Sequence, residues 1–390
     1  MRKLVLVAIL GAAWAAGQDQ TVRQEGQYWV RSGVTQANQL APQVKRLEIF
    51  SRANVTVRGN DEGTVQIKLR QRVRANTSDE ANRTWGPAIR LNPSFVAVGN
   101  TLRLTVLPPG SSRVTTELEV SLPKHMLHVW VNNQAGSIEV YDLDGSVRAD
   151  SGGGPLVMDR IRGDVRGHTG FGEIRLGTIG GSAQCSSGGG SITLASATGE
   201  MNCVTGGGDI DVKFAGGAIT LSTEGGNVRV EKAGSTVRAR SSAGLIDVVQ
   251  ARGAVFADTG GGSIQVGSSN GVRAESAAGT IRVKGGSGPM TVSTMLGNIL
   301  AELMSGGRMA NSSLAAEAGD ITVMIPSGMG LAVRARNDSG MPPRIVSDFP
   351  ELEMRTIGFR SPQGQGVING GGPVLDLNTN GGAIYLRRSK

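Results

Sequence analysis

From Gly136 onward an apolar-x-apolar triplet returns at a fixed interval. Its first residues are Ile138, Leu156, Ile174, Ile192, Ile210, Val228, Ile246, Ile264, Ile281 and Ile299, and each step is eighteen residues except the seventeen from Ile264 to Ile281. A second alternating segment precedes the triplets: Val147 and Ala149 come before Leu156 and Met158, Val237 and Ala239 before Ile246 and Val248, and Val255 and Ala257 before Ile264 and Val266. Alternation with period two marks a strand with one buried face. The GGG or AAG between the segments supplies the permissive dihedrals of a tight reversal. Repeats of fixed length that cannot bury a face alone must stack on their neighbours.

Two strands per eighteen residues therefore predict an all-β protein, a flattened parallel β-solenoid whose coils each rise about 4.8 Å. The rival is an antiparallel sandwich of hairpins; equal spacing and equal side-chain phase favour parallel stacking. One wall offers Ile, Leu or Val. The other follows a larger residue with a small one, at Ala149, Gly167, Cys185, Cys203, Ala239, Ala257 and Ala274, with Leu221 the exception. Large opposite small is how two facing sheets interdigitate. Cys185 and Cys203 are one repeat apart and face inward, which suits two reduced, small-volume core residues or a disulfide between adjacent coils; no set of histidines completes a zinc site around them.

Outside the repeats the beat is missing. Residues 18–43 are expected to be flexible. Residues 44–134 read as a β-rich N-terminal cap, through VKRLEIF, NVTVRG, TVQIKLRQRV, TLRLTV, VTTELEVSLP and LHVWVN, broken by turns at RGNDEG and LPPGSS. Such a cap protects the first coil edge. Residues 135–325 carry the repeats, and 326–390 finish and cap the solenoid. In that tail ITVMIPSGMGLAVRARNDSG echoes the earlier LEVSLPKHMLHVWVNNQAG, each a strand ending in Pro and then a second strand, and GPVLDLNTNGGAIYLRR restores two coil-like strands.

Composition adds an address. Met1-Arg2-Lys3 followed by an apolar stretch from Leu4 to Ala16 and small residues at Ala13 and Ala15 has the form of a secretory signal peptide over residues 1–17. No later stretch is long and apolar enough to span a bilayer. The expectation is an exported protein, periplasmic, at the cell surface or secreted, with no integral membrane segment once the leader is removed. The formal charge of +8 favours anionic surfaces, but no run of basic residues gives a nucleic-acid footprint. The 59 glycines in 390 residues are about twice the ordinary share, and their lack of a three-residue period excludes collagen.

The Pro-bracketed echo and the strings GGGSITL, GGGDIDV, GGNVRV, GGGSIQV and AGTIRV resemble the bacterial "putative adhesin" β-strand-repeat domain family, whose function is unassigned. The resemblance covers about residues 115–390. It implies architecture, and brings no catalytic residues to carry over.

Candidate chemistry is sparse. His125 and His128 point to opposite faces of a strand region, and His168 stands alone. The outward residue of each triplet runs Glu139, Val157, Arg175, Thr193, Asp211, Arg229, Asp247, Gln265 and Arg282, so that Asp211, Arg229 and Asp247 form an alternating-charge ladder. On the facing wall Arg148 and Arg166 stack like charges near Asp150, an anion-binding patch if unpaired. Phe171, Phe214 and Phe256 share no repeat position, whereas Tyr28, Trp29, Trp85 and Trp130 place any ligand groove in the N-terminal region. The DLDG at Asp142 matches no calcium loop spacing. No nucleophile elbow, Walker loop, dinucleotide fingerprint or zincin motif occurs.

These readings assign no catalytic, cofactor-binding or metal residue and no cofactor. They point to a non-catalytic exported adhesin-like or cell-envelope scaffold protein, with an envelope glycan or a surface protein as partner and no nucleic acid. Two alternatives stand beside it: a filament self-associating through solenoid ends, and a β-helix enzyme acting on polysaccharide.

Overall fold

The computed structural model describes residues 14–15, 21–37, 44–85, 94–107, 113–306, 309–338, 344–357 and 361–389. The expected leader lies outside the described residues, apart from Trp14 and Ala15, which pair antiparallel with Ala37 and Gln36. The chain forms two compact units, Met1–Gly188 and Gly189–Lys390.

Both units are built as parallel β-solenoid. In Met1–Gly188, Ile138 stands in register with Leu156 and Leu156 with Ile174, forming the triplet wall. Val147 stands beside Val165 and Val165 beside Ala183 in the facing wall. In Gly189–Lys390 the triplet column runs unbroken from Ile192 through Ile210, Val228, Ile246, Ile264, Ile281 and Ile299 to Ile321. Every one of these pairings is parallel, which decides against the hairpin sandwich. The triplet residues are almost wholly buried, each side chain worth about 1.5–3 kcal/mol of transfer from water. Small residues opposite them are required by volume: a Cβ on Gly167 would lie 2.9 Å from the Met158 methyl and 3.3 Å from Leu156 Cδ1.

A buried hydroxyl column locks successive turns together. Thr223 Oγ1 donates to Gly208 O at 2.9 Å and accepts from Gly226 N at 3.1 Å. Ser241 repeats both bonds with Gly226 O and Gly244 N, at 2.8 Å each. Thr259 repeats them with Gly244 O and Gly262 N, and in the first unit Ser151 and Thr169 do the same. A hydroxyl can serve both roles at once, so the buried turn keeps its polar groups satisfied. The third glycine of each turn sits against the carbonyl of the preceding one: a Cβ on Gly262 would fall 2.0 Å from Gly244 O, whereas one on Gly261 would meet only ordinary contacts at 3.8 Å. The S/T-x-x-G phase that builds this column was present in the repeats, and the sequence reading took the glycines for turns without seeing the hydroxyl's part.

Coil geometry also reaches back before residue 134. Arg46–Ser51 and Asn54–Asn60 are coil strands, parallel to His128–Asn133 and Ile138–Leu143 on one side and to Thr101–Val106 and Val114–Pro123 on the other. The coil at 46–60 is thus inserted between one built from 101–123 and one built from 128–143. The beat is missing there because neighbours in space are not consecutive in sequence. Residues 21–37, expected to be flexible, form the strands Thr21–Glu25 and Tyr28–Ala37, joined by a turn in which Gly26 takes a φ of +61°. The second of them pairs antiparallel with Val65–Arg74, which in turn covers Val114–Pro123. Ser94–Val98 covers Thr101–Val106 on the facing wall. A short helix, Ser78–Trp85, buries Ala81 and Trp85 against Val73 and Ala75; the sequence reading did not predict it.

The second unit ends by the same device. Val374–Thr379 and Ala383–Ser389 lie between the coil of Ser312–Ala318 and Ile321–Pro326 and the outer strands Leu331–Asn337 and Arg344–Ser347. Ser361–Ile368 then closes Leu331–Asn337 antiparallel. The sequence echo marks both jumps. The chain skips one coil after Pro123 and again after Pro326, through turns in which Met126 N donates to Pro123 O at 3.2 Å and Met329 N to Pro326 O at 3.0 Å.

Candidate functional site

On the outer face of the facing wall in Met1–Gly188, parallel register brings Arg103, Glu48, Trp130, Arg148 and Arg166 into one row. Arg103 forks onto Glu48 Oε2, at 3.0 Å from Nε and 2.8 Å from Nη2. Phe50 and Trp130 meet edge to face with centroids 5.4 Å apart. Arg148 lies over the Trp130 ring at 5.3 Å, and both Arg148 Nε and Trp130 Nε1 donate to Asp150 Oδ2 at 2.7 Å. The expected like-charge stack of Arg148 and Arg166 is therefore relieved by Asp150 on the Arg148 side. Trp130, singled out for a groove, is instead packed between neighbours, and Trp85 belongs to the helix core.

A second constellation lies at a coil corner of the same unit, lining a cavity of about 360 Å³. Asp142 and Arg160 occupy equivalent positions in successive coils, both in the left-handed region, with φ of +61° and +54°. Their side chains pair at 2.6 and 3.0 Å, and Arg160 also pairs with Asp159. Hydrogen bonding from Arg160 holds the Asp142 carboxyl below its usual range, against a smaller opposing effect of burial. Tyr141 stacks under Arg58 at 4.9 Å and Arg160 at 5.6 Å, and burial, together with its hydrogen bond to Glu139, raises its phenol. Arg162 pairs with Asp144 at 3.0 Å, and Lys124 with Asp61 at 2.8 Å. Asp61, Asp142, Asp144 and Asp159 at this corner each pair with a cation, and Glu139 accepts from the Tyr141 hydroxyl.

In Gly189–Lys390 the outer face of the facing wall holds a groove of about 460 Å³. Cross-strand register sets Thr220 beside Arg238 and Arg238 beside Phe256, with Arg273 following in the same row. Two residues on, Ser222, Arg240, Asp258 and Glu275 form a parallel row. Arg240 pairs with Asp258 and Arg273 with Glu275, each at 2.9 Å. The Arg238 guanidinium lies over Phe256, its Cζ 4.6 Å from the ring centroid. Phe256 keeps 36% of its surface exposed.

The remaining predicted positions are dispersed. On the triplet wall Arg229 pairs with Asp247 at 3.4 Å; Asp211 stands in register with Arg229, but its Oδ1 is buried with no hydrogen-bond partner, so only half of the charge ladder closes. His125 is exposed, His128 Nδ1 lies 2.6 Å from Ser146 Oγ, and His168 stands in register with Asp150 on the outer face. Phe171 is 79% exposed. Cys185 and Cys203 are buried in their respective units as thiols. Among the described residues no group of three or more His, Cys, Asp and Glu is placed to hold a metal ion, and no helix is long and apolar enough to cross a membrane.

No family model matches the chain, and no curated protein matches it. Two solved structures match the chain: a "putative cell adhesion protein" from Clostridium sporogenes, at 10% identity over 92% of this chain and 100% of that one with a TM-score of 0.19, and a "putative adhesin" from Bacteroides fragilis, at 9% identity over 92% and 97% with a TM-score of 0.18. Scores this low leave function to be argued from this chain's own residues.

Proposed function

We propose that this chain is a non-catalytic, exported scaffold of adhesin type that presents the outer faces of its coils to a partner in or beyond the cell envelope. The observation that carries the reading is how the outward charges are used. Arg103 with Glu48, Arg148 with Asp150, Arg160 with Asp142 and Arg240 with Asp258 are locally paired on rigid strands, an arrangement suited to display rather than to proton transfer, which needs a group poised to gain or lose a proton. The antiparallel strands that close coil edges, at 94–98 and 65–74 in one unit and at 361–368 in the other, speak against polymerisation through open coil ends. Protease treatment of intact cells, followed by fractionation and detection of the mature chain, tests the reading. Digestion in intact cells supports a surface adhesin, protection until the envelope is opened supports an internal envelope scaffold, and recovery in the cytosol overturns both.

A further inference from the structure

The groove on Gly189–Lys390 combines a cavity, an exposed ring and a cation that pairs with no carboxylate among the described residues. Its three guanidinium groups face two carboxylates. Asp258 and Glu275 are taken by Arg240 and Arg273, while Arg238 neighbours Thr220 and Phe256 in its row and stacks on the ring. Stacking leaves the edge of the guanidinium, with its forked donors, open to a planar anion.

The wall also limits what can bind there. Its strands at 219–223, 237–241, 255–259 and 272–276 are paired on both sides in the parallel ladder. No backbone edge is offered to a peptide, so strand addition is excluded as a binding mode. Recognition must come from guanidinium forks and the Thr220 and Ser222 hydroxyls, on coils spaced at about 4.8 Å. That spacing is close to the length of one sugar ring, and those groups are the partners of a sugar's hydroxyls and carboxylates.

We infer that this groove binds a carboxylated polysaccharide lying along the stack of coils, with Arg238 taking a carboxylate and Phe256 holding the Arg238 guanidinium in place beneath it. This deepens the adhesin-type reading and rests on it by naming the class of partner. Oligomers of polygalacturonate serve as the probe, with the same oligomers reduced at their carboxyls as the neutral comparison. Calorimetric titration of the purified mature chain should show binding that weakens at least tenfold on carboxyl reduction, in Arg238→Ala and in Phe256→Ala. Arg238→Lys, which keeps the charge and loses the fork, should weaken it severalfold, and Arg229→Ala on the opposite wall should leave it unchanged. Thermal melts confirm that each variant is folded. Absence of binding, or binding that the Arg238 and Phe256 variants leave within twofold, overturns the inference while leaving the non-catalytic reading standing. Release of new reducing ends in the same incubations would instead overturn the non-catalytic reading, whatever the binding result.

Discussion

The coil at 46–60 and the coils at 210–241 have the same parallel geometry, reached from very different sequences. In 210–241 each coil follows its neighbour in the chain, and a Ser or Thr hydroxyl ties each turn to the one before it. At 46–60 the neighbours come from distant segments, and the tie is made by Asn133, whose Nδ2 donates to Ala53 O at 2.6 Å while its Oδ1 accepts from Gly136 N at 3.3 Å. In the other unit Asn337 takes the same role after the second skip, with Nδ2 donating to Gly382 O at 2.7 Å. A longer side chain takes the hydroxyl's place on the coil that follows each skip, while Thr379 keeps the hydroxyl tie, donating to Gly319 O at 2.9 Å across a jump in sequence. What defines a coil is therefore the satisfied turn and the buried apolar column, and the eighteen-residue beat is a consequence of laying coils down consecutively.

The sharpest way to break this equivalence is at the glycine contacts. Gly262→Ala should cost about 3 kcal/mol by forcing a methyl into the Gly244 carbonyl, whereas Gly261→Ala one residue away should stay within about 0.5 kcal/mol; denaturant midpoints of the two variants give the comparison directly. Next is the hydroxyl. Thr223→Val leaves Gly208 O and Gly226 N unpaired and should cost about 2 kcal/mol, with Thr223→Ser largely restoring stability. Asn133→Ala should cost as much as Thr223→Val if the two ties are equivalent, and much less if the end coil is held by packing alone.

A gap in the column offers the converse test. Ala316 is buried and stands in register with Thr294 on one side and Thr379 on the other, where a hydroxyl would complete the series. Ala316→Ser should raise stability by about 1 kcal/mol, read as an upward shift of the unfolding midpoint.

The smallest effect concerns acid. Asp348 accepts from Arg388 N at 3.1 Å and Arg387 Nη1 at 2.8 Å, and these hydrogen bonds hold its carboxyl below the usual range. A carboxyl depressed by folding stabilises fully above its ordinary range and loses that contribution as pH falls through the lowered value. Protection against hydrogen exchange in Ala383–Ser389 should therefore fall on acidification below about pH 4, and Asp348→Asn should flatten that dependence.

Much of the central architecture was legible because the physics repeats. The triplets fixed the wall, their phase fixed the parallel register, and the small residues opposite them fixed the core width. The end coils were illegible because the signal was spacing, and spacing vanishes when a coil's neighbours lie elsewhere in the chain. The Pro123 and Pro326 echo was visible in the sequence; that it marks a skipped coil follows only once the pairing partners are known. The row that lines the groove was legible as well. Arg238 and Phe256 lie one repeat apart at the same outward position, so the repeat makes them neighbours, whereas their contact depends on rotamers that register alone does not set.

The skip itself can be tested by cross-linking. Glu48 stands in direct register with Arg103 on one side and Trp130 on the other, so Glu48→Cys with Trp130→Cys places two thiols one strand spacing apart, within the disulfide range of about 4.4–6.8 Å between Cα atoms. Arg103→Cys with Trp130→Cys places them about two spacings apart, beyond reach. With Cys185 and Cys203 replaced by alanine in both variants, mild oxidation of the folded chain should close the first pair and leave the second open, as read by mass spectrometry of tryptic peptides. Closure of the 103–130 pair with the 48–130 pair open would place the coils in sequence order and contradict the account.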